Sequence, residues 1–358
     1  MAERSVVVTG VAVRTAFGRD TGALLTDGFA GVPAFDQVSR FDTTGRRTTE
    51  AATLPGSPDL VEELVGVVDE ACAHLPGRAR AGVPLLLAAH ADAEIPPLAG
   101  EVARRTGVLG VPRTYTGACV AATSAVADAA TMIADGRADR VVVAAGYLVE
   151  PVTFALFDAG RALARDGRVR PFSAGRQGML LGDGVAAVLL EADSGAEVEP
   201  LARLAGWGRA GDAFHVCKPR PDGSGLARAV DTAVERAEVS TSDIGYVNAN
   251  GTGTQFNDAA EVAALRRVFG AGLARVPVSS TKSTHGHALE ASGLVELVVT
   301  VHALRTGTLP VNSGYLGADP DCALDLVTDA PRRLRPAYAL SLNAAFGGAN
   351  TALLVGAP

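Results

Sequence analysis

Four short segments of this 358-residue chain carry side chains that could do chemistry together. In TYTGACVAATSAV, Cys119 follows Gly117 and Ala118 and precedes a run of small residues. A thiol at a helix N-terminus feels the positive end of the helix dipole, which lowers its pKa and favours the thiolate. The free N–H groups there can bind an oxyanion. A buried structural cysteine is the competing reading and the commoner fate of the residue. In VNANGTGTQFND (Val247–Asp258), a strand delivers Asn248 and Asn250 into a loop of Gly251, Thr252, Gly253 and Thr254 that a ligand can approach closely. Asp258 and Glu261 open the next helix, where acids suit the dipole. An ordinary strand-to-helix turn capped by Asn257 or Asp258 explains the same residues, and the missing GK[ST] excludes a P-loop.

The third segment, SSTKSTHGHALEASGLVE (Ser279–Glu296), clusters Lys282, His285 and His287 ahead of an apolar helix that contains Glu296. Histidines two apart across a glycine rarely converge on a metal, and no cysteine or carboxylate completes a ligand set, so no metal site is expected. A histidine at the start of a buried helix suits acid/base or oxyanion work. The fourth, SLNAAFGGAN (Ser341–Asn350), ends a strand in Phe346, Gly347 and Gly348. That turn either brings backbone close to a bound group or is a plain glycine-rich hairpin.

These residues need a layered scaffold. Short apolar runs at Ser5–Val8, Pro84–Ala89, Arg140–Ala144, Val185–Leu190, Ile244–Val247, Tyr338–Leu342 and Ala352–Val355 read as buried strands. Between them, Leu60–His74, Val120–Ala134, Leu226–Glu238, Asn257–Val268 and Ala288–Leu304 read as helices. Val120–Ala134 and Ala288–Leu304 are apolar around most of their circumference, as helices buried on several sides are. Each follows a loop with a reactive residue and stops at a glycine, Gly136 or Gly307. This suggests two similar halves, 1–195 and 196–358, joined through the polar segment ADSGAEVEP.

Composition limits the function classes. With 48% hydrophobic residues and 20% charged, the chain can build a large core and is not disordered. A net charge of -7 argues against a nucleic-acid surface. No apolar run reaches the roughly 18 residues needed to span a bilayer. Cys72, Cys119, Cys217 and Cys322 stand far apart without CxxC spacing, as expected of a cytoplasmic protein without disulfides or zinc.

In order and wording together, the cysteine elbow, NGTGT, STKSxxGH and FGG resemble the elongating β-ketoacyl-acyl-carrier-protein synthases, the ketosynthases of the thiolase superfamily. PFSAGRQGMLLGDG (Pro171–Gly184), DAFHVCKP (Asp212–Pro219) and the opening VVVTGVAVRTAFG add to the resemblance, which runs over nearly the whole chain. It implies a thiolase-like five-layered α/β/α/β/α fold and a homodimer or ketosynthase-like heterodimer. It also implies an acyltransferase of polyketide or fatty-acid-type biosynthesis with no bound cofactor. The substrate would be a phosphopantetheine thioester of an acyl carrier protein or CoA. By the same resemblance Cys119 takes the acyl group, and the backbone N–H groups of Cys119 and Phe346 form an oxyanion hole. His287 matches the second catalytic histidine, supported by Lys282 and Glu296. Thr252, Thr254 and the Phe346, Gly347, Gly348 turn meet the phosphopantetheine arm, and Arg161 meets the carrier protein.

Two departures stand out. Asn250 occupies the position of the first histidine, giving a Cys-Asn-His set closer to the thiolases, although no second cysteine lies near the NAAFGGAN turn. An amide exchanges hydrogen bonds but does not move a proton as imidazole does. The chain is also shorter than the family norm between about Arg47 and Pro112, where Arg46 and Arg47 read as a solvated pair. The expected activity is acyl loading on Cys119 followed by Claisen condensation or non-decarboxylative transfer. A non-elongating partner resembling a chain-length factor is the alternative, and a CoA thiolase fits least.

Overall fold

The computed structural model describes residues 4–90 and 95–358. Within them, eleven strands make one continuous mixed sheet. They are β1 (Val6–Thr15), β2 (Pro84–Ala89), β3 (Leu109–Tyr115), β4 (Arg140–Tyr147), β5 (Gly184–Ala192), β6 (Ala202–Gly211), β7 (Ile244–Asn248), β8 (Pro277–Ser279), β9 (Asp325–Leu326), β10 (Tyr338–Ala344) and β11 (Ala349–Gly356). The main helices are α1 (Leu60–Ala71), α2 (Ile95–Thr106), α3 (Ala121–Ala134), α4 (Pro151–Ala159), α5 (Ser224–Ala237), α6 (Gln255–Phe269) and α7 (Ser292–Thr306).

The strand order is β9-β8-β7-β10-β11-β6-β1-β5-β4-β2-β3. Outward from the β1–β6 contact, β1-β5-β4-β2-β3 and β6-β11-β10-β7-β8 repeat one topology. In each run the first three strands pair antiparallel and the last three parallel. The two runs meet through a short antiparallel pairing of Val7 with Arg203 and Val8 with Ala202. We propose that this repeat marks the two halves expected from the sequence, 1–195 and 196–358. Strands such as β5 are buried along their whole length because helices cover both faces.

The five layers follow from where helices pack. α1 lies on β1, β4 and β5, with α2 beside it against β3, while α5 lies on β6 and β11 with α6 against it. Between the halves, α3 and α7 pack on each other and touch strands of both. One hydrophobic cluster surrounds this central pair, and a separate cluster lies under each outer helix layer. α3 is half alanine and α7 is buried on almost every side, so small residues let the layers close up. At Gly293 a Cβ would lie 2.5 Å from the Thr123 methyl and 2.9 Å from Asn343 Oδ1. Both central helices follow the third strand of their half, and both run out into a left-handed glycine, Gly136 or Gly307.

Several boundaries differ from expectation. α1 stops at Ala71, short of His74. α6 begins at Gln255 after Thr254, so neither Asn257 nor Asp258 is its cap. Arg47 is not a solvated partner of Arg46: its backbone N–H donates to the Asp158 carboxylate at 3.1 Å. Residues 91–94 of the stretch expected to be shortened lie outside the described residues. Among the described residues no helix is long and apolar enough to cross a membrane.

Candidate active site

Cys119 is the middle residue of the turn Ala118–Val120 that links β3 to α3. Ala118 carries φ 51°, an uncommon value for a residue with a side chain, so the chain bends sharply to present the cysteine. Cys119 is 8% exposed and lines a cavity of about 450 Å³. Asn250, His287, Thr252, Thr254, Phe346 and Arg161 line the same cavity, so residues from 119 to 346 converge there. His285 does not: its Nε2 lies 3.0 Å from Thr281 Oγ1, and burial drives the ring down to about 3.

The expected low thiol pKa is not what the geometry produces. Burial, and then the Glu290 carboxylate, push the Cys119 thiol up to about 12, and Lys282 only partly offsets them. The regular helix starts at Ala121, two residues beyond the sulfur, which weakens the dipole's reach.

His287 is held by its Nδ1 edge. Leu289 N–H donates to Nδ1 at 3.1 Å, and Ser292 Oγ, which accepts from Ala288 N–H at 2.9 Å, lies 2.8 Å from Nδ1. With Nδ1 an acceptor, the ring proton sits on Nε2, the nitrogen left for the cavity. Burial and then Lys282 hold the ring well below the usual histidine range, so it stays neutral and acts as an N–H donor.

Lys282 and Glu296 form a fully buried ion pair. Glu296 also accepts from Asn343 Nδ2 at 2.7 Å, and Lys282 Nζ donates to Asn250 Oδ1 at 3.3 Å. Lysine only donates, which fixes the Asn250 amide: Oδ1 faces Lys282, and Nδ2 donates to Asn257 Oδ1 at 2.8 Å. Under the loop, Glu261 accepts from the N–H groups of Asn250 and Gly251 at 2.7 and 2.8 Å. Asp258 accepts from those of Phe172, Thr252 and Gly253. These acids are therefore buried props of the loop, not exposed dipole partners. Burial lifts Asp258 to about 6 and Glu261 to about 7. Gly251 permits the tight backbone, because a Cβ there would come within 2.6 Å of Ser280 and 2.8 Å of Phe172.

At the mouth, Phe346 is 52% exposed and stacks on Phe157 of α4 with ring centroids 5.9 Å apart. Gly347 N–H donates to Val216 O at 2.8 Å, which pins the glycine turn to the loop carrying Cys217 and Lys218. The N–H groups of Cys119 and Phe346 have no backbone acceptor among the described residues. Arg161 is exposed on the rim.

Sequence reasoning missed Cys217, Lys218, Phe157 and Asn257, which all line the cavity, and Glu290, which acts on the thiol. Lys218 sits over the Phe256 ring at 4.6 Å. For Glu290 a signal existed, since it is a lone acid in the otherwise small and apolar run between His287 and Glu296. Among the described residues, no group of His, Cys, Asp or Glu could hold a metal.

The layered fold with a cysteine elbow over a central helix pair defines a thiolase-type condensing-enzyme architecture. A solved structure of the ishigamide ketosynthase/chain length factor matches it with a TM-score of 0.90, at 26% identity, over 100% of both chains. The family descriptions "Beta-ketoacyl synthase, N-terminal domain" and "Beta-ketoacyl synthase, C-terminal domain" match residues 91–196 and 201–315. A putative polyketide beta-ketoacyl synthase 1 of Streptomyces cyaneus is 36% identical over 270 residues, 73% of this chain and 64% of the relative. The 3-oxoacyl-[acyl-carrier-protein] synthase 2 of Staphylococcus aureus is 32% identical over 271 residues, 73% of this chain and 67% of the relative. The chain belongs to the β-ketoacyl synthase family. It spans less than two thirds of the length of the Streptomyces relative it matches.

Proposed function

We propose that the chain is an acyl-thioester enzyme that loads an acyl group on Cys119 from an acyl carrier protein or CoA and passes it to an acceptor. The observation that carries this reading is the placing of Cys119 at a strained elbow in one cavity with the Nε2–H of His287 and the unengaged N–H of Phe346. The thioester carbonyl oxygen fits between the Cys119 and Phe346 N–H groups, where charge develops as the sulfur attacks. His287 Nε2–H and the Asn250 amide then hold the oxygen of the second substrate. The Lys282–Glu296 pair supports both, since Lys282 orients Asn250. Thr252 and Thr254, with Oγ atoms 2.8 Å apart, meet the phosphopantetheine arm, and exposed Arg161 meets the acidic carrier protein.

Transfer follows as Claisen condensation in polyketide or fatty-acid-type biosynthesis, or as non-decarboxylative acyl transfer. A fixed amide at position 250 favours the second, because it donates hydrogen bonds without exchanging a proton. Similarity to a ketosynthase/chain length factor structure supports the alternative of a non-elongating subunit in a heterodimer. The retained Cys119 favours catalysis. The chain would work as a homodimer or beside a second ketosynthase-like chain. The test supplies acyl-carrier protein with malonyl-carrier protein, or with amine and alcohol acceptors, and analyses products by mass. A β-ketoacyl product indicates condensation and an ester or amide indicates transfer. No product alone, restored only with a co-purifying ketosynthase-like chain whose own cysteine is acylated, favours the subunit reading.

A further inference from the structure

Attack by the Cys119 thiol needs a group to hold its proton until the leaving thiol takes it, and the surrounding residues leave few candidates. Burial keeps the thiol protonated. His287 offers Nε2–H to the cavity, because Nδ1 already accepts from Leu289 N–H. The Asn250 amide is not basic, and its oxygen faces Lys282. Glu261 is occupied by two backbone N–H groups, and Glu296 by Lys282 and Asn343.

Glu290 differs from all of these. It is the middle residue of the turn Leu289–Ala291, which packs on the turn Ala118–Val120 whose middle residue is Cys119. Leu289 holds φ 40°, a left-handed backbone uncommon for leucine, so this turn too is shaped by its surroundings. Glu290 is 4% exposed; its Oε1 lies 3.1 Å from His90 Nδ1, and its Oε2 is buried without a partner among the described residues. A buried carboxylate oxygen without a donor is costly, so it calls for a task. The His90 side chain is 45% exposed, which links the buried carboxylate to solvent.

We propose that Glu290, oriented by His90, is the general base that takes the Cys119 proton during acyl loading. The assignment rests on the reading of Cys119 as the acyl-carrying nucleophile. Glu290 Oε2 makes no hydrogen bond to Cys119 Sγ in the resting chain, so the two meet as the thioester seats; as the bond from Sγ to the thioester carbon forms, the Sγ proton passes to Oε2. The tetrahedral intermediate then breaks its bond to the pantetheine sulfur, which takes the proton back from Glu290. The acyl group has moved from one sulfur to the other, the leaving group departs as a free thiol, and Glu290 is again a carboxylate.

Single-turnover acylation of the full chain by an acyl-pantetheine thioester, followed by intact mass at pH 6 to 9, tests this in Glu290→Gln and Glu290→Asp. Alkylation of Cys119 by iodoacetamide, mapped on peptides, reports the thiolate fraction in the same proteins. Glu290→Gln is expected to slow acylation by about 10²-fold or more while alkylation speeds up, because the carboxylate that raised the thiol pKa is gone. Glu290→Asp recovers part of the acylation rate. Acylation of Glu290→Gln at the wild-type rate or faster overturns the base assignment alone. A slower acylation without faster alkylation marks a structural defect and also overturns it. A wild-type chain that takes no acyl group overturns the reading of Cys119 together with the base.

Discussion

The buried Lys282–Glu296 pair gives the sharpest stability prediction. Lys282 is 1% exposed and Glu296 is not exposed at all, and they sit between the two halves of the site, tied to Asn250 on one side and Asn343 on the other. Replacing Lys282 by Met leaves Glu296 a buried carboxylate held only by the Asn343 amide. Replacing Glu296 by Leu leaves a buried ammonium. Breaking a buried pair from one side costs about 3–5 kcal/mol. At roughly 2.1 cal/mol/K of unfolding entropy per residue, a chain of this length loses about 4–7 °C of midpoint for that energy. The double variant Lys282→Met/Glu296→Leu removes both charges at similar volume, so it should lose clearly less than the two single losses added together. The Asn250 and Asn343 amides keep it below wild type by leaving two hydrogen-bonding groups without partners. Thermal unfolding followed by circular dichroism, at fixed pH and protein concentration, measures all four proteins. Single variants that melt within a degree of wild type, or a double variant as unstable as the summed singles, would show that the pair does not carry this energy.

Asn250→His places a proton-exchanging ring opposite His287 and should raise malonyl-thioester decarboxylation by about tenfold or more; brisk decarboxylation by wild type contradicts the role given to Asn250. Burial lifts Glu261 to about 7 from 4.5, so the folded chain keeps a proton that the unfolded chain releases above about pH 4.5. Its contribution to stability is therefore complete below about pH 4.5 and is lost as pH rises to about 7. Glu261→Gln should make the fall of the midpoint over that window shallower, with Asp258, lifted to about 6, supplying what remains, and an unchanged slope would count against the assignment. Cys217 is exposed whereas Cys72, Cys119 and Cys322 are buried, so limited alkylation should label Cys217 first on peptide maps; equal labelling of Cys119 would contradict the burial described.

Much of the scaffold was legible because it rests on local pattern. The apolar girth of Val120–Ala134 and Ala288–Leu304 announced two helices buried on several sides, and their glycine stops placed the ends. The convergence of Cys119, Asn250, His287 and Phe346 was legible only through the order of four motifs, since nothing in the spacing brings residue 119 to residue 346. What depends on burial could not be read. A cysteine before a helix suggests a lowered pKa, yet the depth of the site and the Glu290 carboxylate reverse the direction. Asp258 and Glu261 looked like dipole partners because sequence does not show that the loop folds back over them. Glu290 meets His90 from 200 residues away, a pairing created by packing alone.

Every role assigned in the cavity depends on the acyl-carrying sulfur. Incubating wild type and Cys119→Ala with acyl-carrier-protein or CoA thioesters, then measuring intact mass with peptide mapping, tests it directly. One acyl adduct on Cys119 is expected in wild type and none in the variant. An unchanged wild-type mass, or an adduct on Cys217 or elsewhere that persists in Cys119→Ala, would contradict it.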